Sequence, residues 1–292
     1  MKIESSELVL NPDGSVYHLN ILPEDVADTV IFVGDPGRVE RVSQHFDRIE
    51  IKKSKREFVT HTGYIGTKRL TVISTGIGPD NIDIVMNELD ALVNINLETR
   101  TVKKEHKTLK IIRIGTSGSL QADIDVDSIV VSSYGMGFDN LLKFYKYDNS
   151  ADENILEFEF SNHIQKEGIS LPVTPYIVSG CKKLLDSVGK GFKSGITATC
   201  PGFYGPQGRK LRLQPESSDF LYLLSSFSMN QHRITNFEME TSAIYGLAGL
   251  LGHQALSCNV ILANRLSGEF VKDHHASEAY ICLLYTSPSP RD

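Results

Sequence analysis

Tryptophan is absent from the 292 residues, and cysteine occurs four times, at Cys181, Cys200, Cys258 and Cys282, with no C-x-x-C pair. Such scatter excludes a disulfide framework and the common zinc spacings, and makes a reducing cytoplasm the expected compartment. No run approaches the ~18 apolar residues of a membrane span. The opening MKIESSELVLNPDGS lacks the basic flank and unbroken apolar stretch of a signal peptide. Neither membrane insertion nor secretion is expected. An excess of positive charge is also missing: 30 basic against 36 acidic side chains leave a net charge of −6, which argues against a general nucleic-acid surface. Any anion must be handled in a local pocket.

Familiar nucleotide motifs are missing as well. There is no G-x-x-x-x-G-K-[ST] loop and no G-x-G-x-x-G after a strand-like run. Gly115-Thr116-Ser117-Gly118-Ser119 resembles a hydrolase nucleophile elbow, but its second glycine falls one position early. His274-His275 has no carboxylate–histidine spacing around it and reads as a polar loop pair. No metal and no cofactor are assigned.

What the chain does contain is alternation. Short β-branched runs at Thr29–Val33, Leu70–Ser74, Lys110–Ile114, Ser128–Ser133, Gly195–Ala198 and Ser257–Ala263 alternate with helical patterns. Ile82, Val85, Met86, Leu89, Leu92 and Val93 predict a helix over Asp80–Val93 with Asp80 as N-cap. A second helix is predicted over Thr241–Leu251, ended by Gly252. With 40% hydrophobic residues, no repeat and no linker, the reading is one α/β domain with a central sheet, residues 1–279. Glu98–Lys110 reads as a solvated excursion. In Tyr280–Asp292 two prolines forbid a terminal helix, so this tail is read as a truncation, a frame change or a cloning scar.

Three of the strand-like runs end in glycine turns: Gly34-Asp35-Pro36-Gly37-Arg38, Thr75-Gly76-Ile77-Gly78 and Gly115-Thr116-Ser117-Gly118. Open α/β sheets bind ligands at strand carboxyl ends, and glycine lets backbone N–H groups approach an anion. Arg38 and Arg113 flank two of these stretches and suit bidentate contact with an oxyanion. Phosphate is the favoured anion.

Together the motifs VGDPGRVERV (Val33–Val42), KREF (Lys55–Phe58), ISTGIG (Ile73–Gly78), IRIGTSG (Ile112–Gly118), FYGPQGR (Phe203–Arg209) and FEMET (Phe237–Thr241) resemble those of the nucleoside phosphorylase superfamily. The resemblance runs from about Tyr17 to Arg265 and is nearest to its uridine-specific branch. It implies a mixed, twisted, partly barrel-like central β-sheet flanked by α-helices. It also implies an enzyme that splits uridine, or deoxyuridine and thymidine, with inorganic phosphate as co-substrate. Gly34, Arg38, Arg113 and Thr116 match the phosphate site, and Arg56 the arginine lent by a neighbouring subunit. His18 matches the histidine lent to the ribose 5′-hydroxyl. Met239 and Glu240 match the ribose-binding pair. Gln207 and Arg209 match the two side chains that identify uracil, and with Glu240 they form the expected catalytic set. Shared sites imply a homodimer, with a homohexamer as the family form. Asn264 stands where the purine enzymes carry an aspartate that protonates the base, which favours a pyrimidine. The rival readings are a purine nucleoside phosphorylase, a hydrolytic nucleosidase and a non-catalytic nucleoside-binding protein.

Overall fold

A computed structural model describes residues 2–272; His274-His275 and the tail Tyr280–Asp292 lie outside them. The described residues form two compact units, one of residues 2–113 with 247–255, the other of 114–246 with 256–272. The passages between units fall inside secondary-structure elements, with no linker segment at any of them.

In the first unit, β1 (Thr29–Val33) is followed by α1 (Pro36–Ser43), then by the meander β2 (Arg48–Lys55), β3 (Phe58–Ile65) and β4 (Lys68–Ser74). β1 lies parallel to β4, from Thr29 opposite Leu70 to Val33 opposite Ser74, while β4–β3 and β3–β2 are antiparallel. Parallel β1 and β4 therefore end side by side, and their following loops start level with one another. β1 is buried almost throughout and reads TVIFV, whereas β2 alternates exposed and half-buried residues, the pattern of a solvated edge. Next come α2 (Pro79–Asn94) and a short hairpin of β5 (Ile95–Asn96) with β6 (Thr101–Val102). The predicted apolar face of α2 is buried. Its N-cap, however, is Gly78 at φ 100°, not Asp80. Pro79 occupies the first helical position, where its fixed φ and missing N–H cost nothing, and this moves the start two residues back. Residues 102–108 are exposed, as expected of the lysine-rich excursion.

β3 also carries a buried histidine. His61 Nδ1 lies 2.7 Å from Ser43 Oγ at the end of α1. Burial, and secondarily Lys52, hold its pKa below the ordinary 6.5. As pH falls through 6.5 the unfolded chain gains a proton that the native site resists, so stability drops until the native pKa is reached. Thermal unfolding of the wild type is expected to lose more between about pH 7.5 and about pH 5.5 than that of a His61→Gln variant. Equal losses would remove His61 from the acid response.

β7 (Lys110–Ser119) passes from the first unit into the second. There follow β8 (Ile129–Gly137), α3 (Ala151–Glu167), β9 (Tyr176–Ser179), α4 (Lys182–Ser187) and β10 (Lys193–Thr199). The last elements are α5 (Phe220–Ser226), β11 (Ser228–Met229), β12 (His232–Glu238), α6 (Thr241–Leu251) and β13 (Gln254–Asn264). Strands run in the order β12-β10-β8-β13-β7, and β12 pairs again with β7, so the sheet closes on itself here. This closure is the barrel-like part of a mixed α/β fold, and it leaves these strands no open edge. It also corrects one expectation. Gly115-Thr116-Ser117-Gly118 is strand, not turn, because Gly118 and Ser119 are paired with Phe237 and Asn236 of β12. Around Phe138, Phe160, Phe227 and Phe237 an apolar core forms with Leu156, Ile177 and Leu223. α6 has the predicted limits, and Gly252 follows it at φ 77°. His253 N–H closes back on the Ala248 carbonyl at 2.7 Å, a left-handed helix stop that glycine permits.

Candidate active site

The anion candidates of the first unit are assembled by backbone. Gly34 follows β1, and its carbonyl accepts from Gly76 N–H at 3.0 Å, while the Val33 carbonyl accepts from Thr75 N–H at 2.8 Å. Gly76 sits at φ 70°, and a Cβ there would stand 2.3 Å from Asn81 Nδ2 and 3.2 Å from Glu57 Cγ. Only glycine fits that position. Asp35 caps α1 by accepting from Gly37 N–H at 2.6 Å, with Pro36 at the first helical position, which sets half-buried Arg38 in the first turn.

Arg56 occupies the tight β2–β3 turn at φ 55° and is exposed. The adjoining Glu57 carbonyl accepts from Ser74 Oγ at 2.6 Å, which fastens the turn to the end of β4. Lys55 is bonded through Nζ to the Tyr17 carbonyl and, at 2.9 Å, to Asn11 Oδ1, and its Nζ lies 4.2 Å from the Tyr17 ring centre. The structure thus joins the His18 segment to the Arg56 turn. His18 itself is half-buried, with Nδ1 2.7 Å from Glu88 Oε1. Arg113 is buried on β7, and Thr116 is half-buried three residues further along the same strand.

In the second unit the FYGPQGR segment folds into a 3-10 turn at Gly205–Gln207, closed by Gly208 at φ 65°. Gln207 is buried, and its Nε2 donates to the Glu238 carbonyl at 3.4 Å. Arg209 Nη1 donates to Gln207 Oε1 at 2.5 Å and to the Phe203 carbonyl at 2.6 Å, and its guanidinium lies 3.6 Å from the Phe203 ring centre. Both of these bonds use one nitrogen, so the fork keeps further donors for a ligand carbonyl. Burial, and next the charge of Arg265, pull the Arg209 pKa down to about 10. It stays charged at neutral pH, but in a setting where its charge is only partly solvated and therefore acts strongly.

Two residues of this cluster carry no role in the sequence reading. Arg265 Nη1 donates to the Gln207 carbonyl at 3.2 Å, and its guanidinium lies 5.3 Å from the Phe237 ring centre. Its only signal was adjacency to Asn264. Glu238 is buried, accepts from Thr199 Oγ1 at 2.8 Å and from Glu240 N–H at 2.9 Å, and takes Thr241 N–H on both carboxylate oxygens. It thereby satisfies the start of α6 and fixes the half-buried Met239 and buried Glu240 just before it. A carboxylate at 240 also meets the positive end of the helix dipole. A cavity of about 670 Å³ adjoins Arg209, walled by Phe138, Tyr204, Leu211, Leu213 and Phe220. Gln207, Met239 and Glu240 are not in its wall.

Asn264 is fully engaged. Its Nδ2 donates to the Gln121 and Ile124 carbonyls at 3.0 and 3.1 Å, and Oδ1 accepts from Leu266 and Ser267 N–H at 2.9 and 3.1 Å. An aspartate there would turn an acceptor toward two carbonyls. Asn264→Asp is therefore expected to lower stability by about 2–4 kcal/mol, read by denaturant unfolding, with no gain of purine cleavage. A variant as stable as the wild type would contradict this.

Among the described residues, no group of three or more His, Cys, Asp or Glu side chains is placed to hold a metal ion. Nor is any helix among them long and apolar enough to cross a membrane.

Comparison with known proteins places this geometry in a class. The profile described as the phosphorylase superfamily matches residues 28–280, and the chain belongs to that superfamily. It is a nucleoside phosphorylase, an enzyme of pentosyl transfer. A uridine phosphorylase of Thermococcus kodakarensis is 30% identical over 280 residues, 93% of this chain and 85% of that one. A DeoD-type purine nucleoside phosphorylase of Buchnera aphidicola is 24% identical over 268 residues, 91% of this chain and 94% of that one. Among solved structures, a Trypanosoma brucei nucleoside phosphorylase described as showing uridine phosphorylase activity superposes with a TM-score of 0.85 at 28% identity, covering 95% of this chain and 97% of that one.

Proposed function

We propose that the chain cleaves uridine with inorganic phosphate to give uracil and ribose 1-phosphate, with deoxyuridine or thymidine as further substrates. The observation that carries this reading is the Gln207–Arg209 pair, held on the Glu238 and Phe203 carbonyls beside the Phe203 ring. A glutamine amide donates to one uracil carbonyl and accepts from the ring N–H, while a guanidinium donates to a carbonyl oxygen. The uridine phosphorylase relatives support the same choice.

In the proposed reaction a phosphate oxygen forms a bond to the anomeric carbon as the bond to uracil N1 breaks. The electron pair leaves with the base, and the ribose passes through an oxocarbenium-like state. Phosphate is a weak nucleophile, so Gly34, Arg38, Arg113, Thr116 and a partner's copy of Arg56 serve to position it. Such positioning supplies ~7–11 kcal/mol in well-oriented reactions. Glu240 binds the ribose hydroxyls and its charge suits the cationic sugar, with Met239 against the ribose. Arg209 meets the negative charge growing on uracil. In this reading the functional unit is a homodimer, and three dimers form the family's hexamer.

The test is uracil release from uridine with and without phosphate, beside thymidine and inosine. Phosphate-dependent release from uridine is the expected result. Release without phosphate would indicate hydrolysis, and cleavage of inosine alone the purine enzyme. Tight uridine binding without release would indicate a binding protein.

A further inference from the structure

His18 is held by more than its own loop. Glu88, on α2, takes three N–H groups of one short segment: His18 N–H at 2.9 and 3.0 Å to its two oxygens, Leu19 N–H at 2.8 Å, and the ring at Nδ1, 2.7 Å away. The segment is anchored on both sides by Val16, Leu19 and Ile21, all fully buried. Asn11 Nδ2 ties it further, to the Val16 carbonyl at 2.8 Å and to Ser15 Oγ at 2.9 Å. Phe58 stands edge-on to the imidazole with ring centres 6.4 Å apart.

An ionised carboxylate only accepts hydrogen bonds, so the ring must donate from Nδ1. In the neutral imidazole that leaves Nε2 as an acceptor, facing away from Glu88. The His18 side chain keeps 28% of its surface exposed, against 14% for Glu88. The geometry points to Glu88 as the positioning residue of His18: it fixes the Nδ1–H tautomer and the ring's direction, so that Nε2 accepts from the 5′-hydroxyl of a nucleoside. A carboxylate that orients a histidine through its second nitrogen is a general device for setting which nitrogen faces the ligand. This inference rests on the role proposed for His18 and extends it to the substrate feature that Glu88 would control. Nucleosides with a 5′-hydroxyl gain from Glu88, and 5′-deoxynucleosides do not.

The experiment compares uridine with 5′-deoxyuridine on the full chain, wild type against His18→Ala, Glu88→Gln and the double variant. Glu88→Gln keeps the side chain's size but replaces one acceptor oxygen by an amide that donates. Its kcat/KM for uridine is expected to fall on the order of tenfold, the value of one well-oriented hydrogen bond. For 5′-deoxyuridine it should stay within about twofold. Adding His18→Ala should cost Glu88→Gln little more, since both act on one contact. A wild type that does not release uracil defeats the functional reading itself. A His18→Ala variant whose kcat/KM falls by the same factor for both substrates, or for neither, defeats the role of His18. A His18→Ala loss confined to uridine, beside a Glu88→Gln that harms both substrates alike, or neither, overturns the positioning role of Glu88. A second readout needs no variant to fold: nitrogen NMR shifts of His18 in the wild type at about pH 8 should report the Nδ1–H tautomer. The Nε2–H tautomer there would overturn the proposal directly.

Discussion

Alanine in place of Arg209 is expected to lower kcat for uridine by about 10²–10³-fold while KM changes by less than about tenfold. The guanidinium supplies donors where charge grows on the departing base, and such donors are worth ~2.7–4 kcal/mol in the transition state. Two local consequences add to that loss. Gln207 Oε1 loses its 2.5 Å partner, and the exposed Phe203 ring loses the guanidinium stacked 3.6 Å away. Arg209→Lys keeps the charge but not the planar fork, so it should recover only a small part of the activity. Steady-state kinetics over a range of uridine concentrations decide the matter. A rise in KM at unchanged kcat would make Arg209 a ground-state binder and remove it from the catalytic set.

A comparably large effect is expected from Arg56→Ala, with an unusual remedy. Arg56 is exposed in its turn, whereas Glu240 is buried at the start of α6. If one subunit lends Arg56 to the other, Arg56→Ala and Glu240→Ala should each be nearly inactive alone. Co-assembled, an Arg56→Ala chain still holds an intact Glu240 and receives Arg56 from its partner. Random pairing makes half the dimers mixed, each with one whole site, so about a quarter of wild-type activity should return. Activity assays on mixed and separately refolded variants measure this. No recovery on mixing would place all of the site's groups on one chain.

Elements whose pattern rests on their own residues were legible in the sequence. β1 and α6 have the predicted limits because TVIFV is bounded by Asp28 and Gly34, and α6 by Glu240 and Gly252. What escaped depends on neighbours distant in sequence. Gly115–Gly118 has turn composition, yet β7 continues through it because β12 supplies partners about 119 residues away. The α2 start was misplaced by two residues because a glycine at φ 100° has no side chain to announce a cap. Site residues divide in the same way. Candidates within compact motifs, such as Gln207 with Arg209 and Met239 with Glu240, are neighbours in sequence, and Gln207 is bonded both to Arg209 and to the Glu238 carbonyl beside Met239. Arg265 reaches the Gln207 carbonyl across 58 residues, and Glu88 reaches His18 across 70, separations that no local spacing reveals.

The bonds from Lys55 to the Tyr17 carbonyl and to Asn11 mean that the histidine loop and the arginine turn travel as one piece. For a pocket finished by a second copy, the sugar contact and the anion clamp would then arrive and depart in a single event. Dilution should leave no half-competent species, only whole pockets and idle chains, and turnover per subunit would track association alone.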